Sequence, residues 1–134
     1  MTHAAPPPTI GELERIALTV LRSATGPVGA YDVLGALRAA RPTAAAPTAY
    51  RTLAKLIDKG LAHRLESLNA YVACCAEHDG TAPLFSICDD CGVVGELADP
   101  TVATHLAAAV QREGFEAEKQ VIELHGRCAA CRSA

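Results

Sequence analysis

At 134 residues, half of them apolar, the chain suffices for one ordinary domain or two very small ones and can bury a core. It holds no run of about 18 apolar residues to cross a bilayer, and the opening MTHAAPPPT lacks the basic start and apolar middle of a secretory signal, so a cytoplasmic address without a membrane partner is expected. The net charge of −3 hides an asymmetry: eight Lys/Arg against five Asp/Glu in residues 1–66 give +3, and four against ten in residues 67–134 give −6, as if one half were built to approach phosphates and the other for a different task.

In chain order, APPPT reads as irregular, and Leu13, Ile16, Ala17, Val20 and Leu21 then recur at helical spacing until TGPVGA ends the first helix. Tyr31 to Ala40 repeats the pattern with Val33, Leu34 and Leu37, and Pro42 stops it. Pro47 is tolerated in a first turn, so a third helix is expected from there to about Lys59, with Gly60 closing it. Its expected inner face is Tyr50, Leu53, Leu56 and Ile57; its outer face is Thr48, Arg51, Thr52, Lys55 and Lys59, basic and hydroxylated.

The next stretch, LAHRLESLNAYVAC, holds two short β-prone runs around ESLN, the pattern of a hairpin. Three helices followed by a hairpin make a winged helix, whose third helix enters the major groove of duplex DNA while the wing touches the backbone. A solvated helix face on a small α/β domain is the alternative; the hairpin and the charge asymmetry favour DNA. Ala76 to Pro83, AEHDGTAP, reads as a linker. Beyond it, strands are expected at Leu84–Cys88 and Val93–Leu97, a helix over Thr101–Glu113 and a third strand over Ala117–His125. The fold class is therefore α+β: a winged helix over residues 1–75, a hinge at 76–83 and a small α/β unit at 84–134. That unit is short enough to call for a metal staple, a dimer partner or both.

Six cysteines in a reducing compartment point to metal ligands or catalytic thiols rather than disulfides. Cys88/Cys91 and Cys128/Cys131 form two CxxC pairs with 36 residues between them. Together they supply four thiolates, the preferred set for a closed structural zinc site. A thioredoxin-like redox pair is the alternative for one CxxC, and the presence of two favours a shared metal. Cys74 and Cys75 remain, with His63, His78 and Glu96 around them. Each has an ordinary reading alone, as a wing residue, a small buried hydrophobe, a linker residue or a surface carboxylate. As a set, a thiolate, two imidazoles and a carboxylate suit an exchangeable zinc better than iron, because the soft sulfur favours zinc. No orienting Asp/Asn signature or phosphate-cradling Gly loop supports a nucleophilic enzyme.

The segments PTAYRTLAKLIDKGLAHRLESLNAYVAC, FSICDDCGVVGEL and VIELHGRCAAC, with a linker His between the first two, strongly resemble the ferric uptake regulator family, in particular its zinc uptake regulator branch. The resemblance extends over nearly the whole chain from about Ile10. It implies a homodimeric winged-helix repressor that binds double-stranded operator DNA when zinc is plentiful, with no small-molecule substrate. It places structural zinc ligands at Cys88, Cys91, Cys128 and Cys131, and regulatory ones at His63, Cys74, His78 and Glu96, hence two zinc ions per chain. It also places DNA contacts at Tyr31 and Arg51; with the hydroxylated and basic positions beside Arg51, the candidate DNA face is Tyr31, Thr48, Tyr50, Arg51, Thr52 and Lys55. The linker departs from some relatives in lacking their His-x-His run, and His105 and His125 are read as structural or surface residues. An iron- or peroxide-responsive regulator of the same family, expected to replace the Cys74 thiolate with His or Asp, is the rival reading; a zinc-stapled interaction module is another.

Overall fold

The computed structural model describes residues 9–74 and 82–133. The described chain forms two compact units, the first made of residues 9–24, 28–64 and 69–73, the second of 25–27, 65–68, 74 and 82–133. Most of the expected linker, with His78 and Cys75, lies outside the described residues.

In the first unit α1 (Glu12–Ser23) carries Glu12 and Glu14 in its first turn and Arg22 in its last, matching the helix dipole at both ends. It buries Ala17, Leu18 and Leu21. The second helix, α2 (Ala30–Ala40), buries Ala30, Val33, Leu34 and Leu37, one continuous stripe at i, i+3, i+4 and i+7. The third, α3 (Ala46–Asp58), carries Pro47 in its first turn and ends before Gly60, whose φ of +73° suits a residue without a Cβ. Its buried stripe is Ala49, Thr52, Leu53 and Leu56.

That stripe corrects the expected face. Tyr50 and Ile57 are exposed, while Ala49 and Thr52 are inside. Thr52 is tolerated there because its hydroxyl donates to the Thr48 carbonyl at 2.7 Å, leaving the methyl to pack. Lys59 also leaves the outer face: its ammonium pairs with the buried carboxylate of Glu14 and donates to the Thr9 carbonyl at 2.7 Å. A carboxylate as enclosed as Glu14 needs such a cation.

The hairpin follows as expected, with β1 (Ala62–Leu65) and β2 (Ala70–Ala73) paired as a two-stranded sheet. Asn69 takes the left-handed conformation, φ +48°, that asparagine tolerates better than most residues, and its Oδ1 accepts from Arg64 Nη2 at 2.9 Å. Val28 exchanges two backbone hydrogen bonds with Tyr71, so the segment before α2 is tied to the hairpin. Leu53 and Leu56 sit fully buried at the centre of this unit. Leu53→Ala is expected to cost about 2–5 kcal/mol, the usual range for emptying a leucine site in a well-packed core, measured as a lower denaturant midpoint.

The second unit is a three-stranded sheet in the order β4-β3-β5, formed by β3 (Pro83–Cys88), β4 (Val94–Ala98) and β5 (Ile122–Gly126). The central strand pairs antiparallel with β4 and parallel with β5, from Leu84 opposite Ile122 to Cys88 opposite Gly126. A parallel neighbour requires a crossover, supplied by α4 (Pro100–Gln111). Asp99 caps α4, its carboxylate accepting from the amides of Thr101 at 2.9 Å and Val102 at 3.3 Å, with Pro100 in the first turn. The third strand is shorter at its start than expected: residues 117–121 are outside it. Gln120 donates to the Ala103 carbonyl at 3.0 Å, which ties that segment to α4. A one-turn helix, α5 (Ala129–Arg132), follows β5.

Candidate metal centres and nucleic-acid face

The parallel register of β3 with β5 determines where the four thiols go. Cys88 ends β3, Cys91 follows in the turn, and Cys128 caps α5, which carries Cys131. With Cys88 opposite Gly126, the two pairs converge at one end of the sheet. Gly92, at φ +79°, lets the chain reverse immediately after Cys91.

All four Sγ atoms lie within 4.8 Å of one another, with Cys88–Cys131 and Cys91–Cys128 both at 3.7 Å. A tetrahedral zinc with Zn–S bonds of about 2.3 Å has S···S edges of about 3.8 Å, so the donor set fits that ion. The separations are far beyond the roughly 2.05 Å of a disulfide, and these cysteines are free.

The thiols are electrostatically unequal. Backbone N–H groups of Cys128, at 3.3 Å, and Cys91, at 3.5 Å, donate to Cys88 Sγ and lower its pKa to about 6 against the cost of desolvation. Cys131 is pushed strongly upward by its thiol neighbours Cys128, Cys88 and Cys91. At Cys91 an amide contact from Val93 favours the thiolate, but the neighbouring thiol of Cys88 and desolvation outweigh it and the pKa rises. A cluster in which Cys88 is a ready thiolate while Cys91 and Cys131 resist ionisation is what a dication converts into a full set of thiolates. Around it, Arg127 Nε donates to Asp90 Oδ2 at 2.8 Å and Arg127 Nη2 to the Cys131 carbonyl at 2.9 Å, and the Asp89 amide donates to the Gly126 carbonyl.

Of the proposed regulatory ligands, Cys74 and Glu96 meet within the second unit. Cys74, just past β2, donates through Sγ to Glu96 Oε2 at 3.5 Å, and both side chains are half-buried. Glu96 stands mid-strand on β4 opposite Phe85. His63 lies on β1 in the first unit, half-buried.

On the first unit, Tyr31 is 72% exposed and Tyr50 41% exposed, and together they line a shallow cleft between α2 and α3 with Ala30, Leu34, Ala46 and Ala49. Arg51 and Lys55, one helical turn apart, are exposed; Thr48 is half-buried; Thr52 is enclosed, so of the six candidates it alone cannot reach a ligand without rearrangement.

One cluster escaped the sequence reading. Residues 65–68, from the end of β1 into the turn of the hairpin, belong to the second unit. There the carboxylate of Glu123 accepts from the amide of Glu66 at 2.7 Å, from the amide of Ser67 at 3.0 Å and from the Ser67 hydroxyl. Ser67 Oγ also meets His125 Nε2 at 2.8 Å, and His125 Nδ1 meets Asp89 Oδ1 at 2.8 Å. Serine has one hydroxyl proton: given to Glu123, it leaves Ser67 Oγ only as an acceptor toward His125 Nε2. Burial opposes ionisation of Glu123, but the bonds from Ser67 and Glu66 and the field of His125 outweigh it and lower its pKa. The folded carboxyl is thus more acidic than the unfolded one, so its contribution is present at neutral pH and is lost as pH falls through the folded value. Only the alternation of Glu123 and His125 on one strand hinted at this in sequence.

A model of the ferric uptake regulator family matches residues 14–125. The chain belongs to that family. Among its relatives, the zinc uptake regulation protein of Escherichia coli strain K12 is 42% identical over 108 residues, covering 79% of this chain and 63% of that protein. The chain therefore matches a little under two thirds of the length of the first curated relatives. The structure of a zinc uptake regulator complexed with zinc and DNA superposes with a TM-score of 0.84 at 35% identity, covering 92% of this chain and 83% of that one. The crystal structure of holo XcZur gives 0.79 at 38%, covering 92% and 86%. The α+β class, with an N-terminal winged helix and a C-terminal α/β unit, is the fold of these family members. No helix among the described residues is long and apolar enough to cross a membrane.

Proposed function

We propose that this member of the ferric uptake regulator family is a zinc-responsive transcriptional repressor: a cytoplasmic homodimer that binds double-stranded operator DNA when loaded with zinc and controls zinc-uptake genes. The observation that carries the choice of metal is the thiol of Cys74 against the carboxylate of Glu96. A soft sulfur donor in an exchangeable site favours zinc over iron(II) or manganese(II). In this reading each chain holds two zinc ions, a structural one on Cys88, Cys91, Cys128 and Cys131 and a regulatory one on His63, Cys74, His78 and Glu96. Ligands drawn from wing, linker and sheet let the regulatory ion bias the hinge between domains 1–75 and 84–134. In a twofold dimer that bias sets the spacing of two recognition helices, which must meet half-sites about one helical turn apart.

The dimer has support in apolar residues left uncovered on the second unit: Leu97, Leu106, Phe115, Val121 and Leu124 are all exposed, and α4 buries none of its residues. The DNA face has support in Tyr31, Tyr50, Arg51 and Lys55, which are exposed on α2 and α3.

The test is a metal titration of purified protein with operator binding as readout. Zinc should raise affinity about 5- to 150-fold, the ordinary scale of coupling between two sites, with iron(II) and manganese(II) far less effective. A stronger response to iron(II) would move the protein to the iron-responsive reading, and no DNA binding in any metal state would leave a zinc-stapled interaction module. In the same assay Arg51→Ala should cost about 1–3 kcal/mol and relax preference at one operator position per half-site, as expected for a base-edge contact. Equal binding by Arg51→Ala and wild type would remove α3 from the groove.

A further inference from the structure

We propose that Glu123 is a positioning residue for DNA binding: its carboxylate holds the turn of the hairpin, and His125 connects that grip to the four-cysteine knuckle. The inference rests on the DNA-binding reading above and assigns a role to residues outside both metal sites and outside the recognition helix.

The two oxygens of Glu123 accept three hydrogen bonds from two successive residues of the turn, the amides of Glu66 and Ser67 and the Ser67 hydroxyl. A carboxylate clasping consecutive backbone amides fixes the backbone itself, whatever the side chains there do. Beyond Ser67 the chain of contacts continues through both nitrogens of His125 to Asp89, at 2.8 Å on each side. Asp89 is the residue after Cys88, and its amide is held by the Gly126 carbonyl beside the knuckle. On the other side, Lys119 lies 3.5 Å from Glu66 as an outer, exposed contact. A hairpin of two four-residue strands is marginal on its own. Anchoring its turn orders a segment that would otherwise have to be ordered when DNA arrives, so the grip raises affinity by preorganisation.

Glu123→Gln tests this with little change of volume, since it replaces one acceptor oxygen by an amide that faces N–H donors. Ser67→Ala is the milder companion: it removes the hydroxyl bridge to His125 and leaves the two amide bonds. Three quantities are read on the full zinc-loaded protein: zinc content, hydrogen exchange at the amides of residues 66 and 67, and operator affinity. In Glu123→Gln, exchange at those two amides should accelerate about tenfold or more, because their acceptor is weakened. Operator affinity should fall about fivefold or more while zinc content is unchanged, with Ser67→Ala between the variant and wild type. Unchanged exchange would overturn the grip. Faster exchange with wild-type affinity would overturn its role in DNA binding. Failure of the wild type itself to bind operator would instead strike the proposed function, and the exchange measurement would still decide the grip.

Discussion

Cys131→Ser is expected to lose tightly held zinc and the cooperative fold of the second unit together. Serine cannot supply the thiolate that completes the tetrahedron, and the remaining cluster keeps one stabilised thiolate, Cys88, with too few partners to hold the ion. Where a metal site does not exist in the unfolded chain, the free energy of binding is folding free energy. The second unit has reason to depend on it: α4 buries no residue, and the buried apolar side chains of its sheet amount to Phe85, Ile87 and Cys88. Zinc counted after dialysis should drop by one ion per chain, the dimer should dissociate, and the melting temperature should fall by about 20 °C or lose its cooperative transition altogether. A folded, zinc-depleted dimer with wild-type melting would show that the sheet stands without its staple.

Cys74→Ser is expected to do the opposite: leave fold and dimer intact and disconnect DNA binding from zinc. The hydroxyl is nearly isosteric with the thiol and can still donate to Glu96, so little local structure is lost. What disappears is the soft donor. The variant should retain about one zinc per chain where two are expected for wild type, and its operator affinity in zinc should fall by the full coupling factor of about 5- to 150-fold. Cys75→Ser is the control one residue along and should behave as wild type, since Cys75 is not among the proposed ligands. Reversal of the two phenotypes would shift the ligand by one position. A wild-type response from both would put the exchangeable site elsewhere.

The helices, the hairpin and the two CxxC pairs were legible because each is written in local signals: apolar spacing, Pro47, Gly60, the ESLN turn and ligand spacing. The phase of α3 was not. Tyr50 and Ile57 looked like core by hydrophobicity, yet the small Ala49 and Thr52 face inward beside Leu53 and Leu56, with the threonine hydroxyl satisfied by its own helix. Size and intrahelical hydrogen bonding decided the face, and neither follows from an apolar count. Lys59 was misread for a related reason: its partner Glu14 is 45 residues away. The start of β5 failed on tertiary grounds, since a contact from Gln120 to α4 overrides the β-prone run. Beyond the alternation of Glu123 and His125 on one strand, nothing in the sequence joins them to Ser67, because their hydrogen bonds to the turn span 56 to 58 residues and carry no motif.

The parallel pairing of β3 with β5 has a consequence for how the protein acquires its structure in time. Every partner in that ladder is 38 positions from its mate, from Leu84 with Ile122 to Cys88 with Gly126. Closing so long a loop before any of its contacts can form makes the step slow compared with the assembly of helices from near neighbours. An ion that takes one thiol pair from each end of the loop shortens the search, because capture at Cys88 and Cys91 leaves Cys128 and Cys131 only to find a tethered metal. Refolding of the second unit should therefore accelerate with zinc concentration, and chains made during zinc starvation should spend longest with their strand edges unpaired.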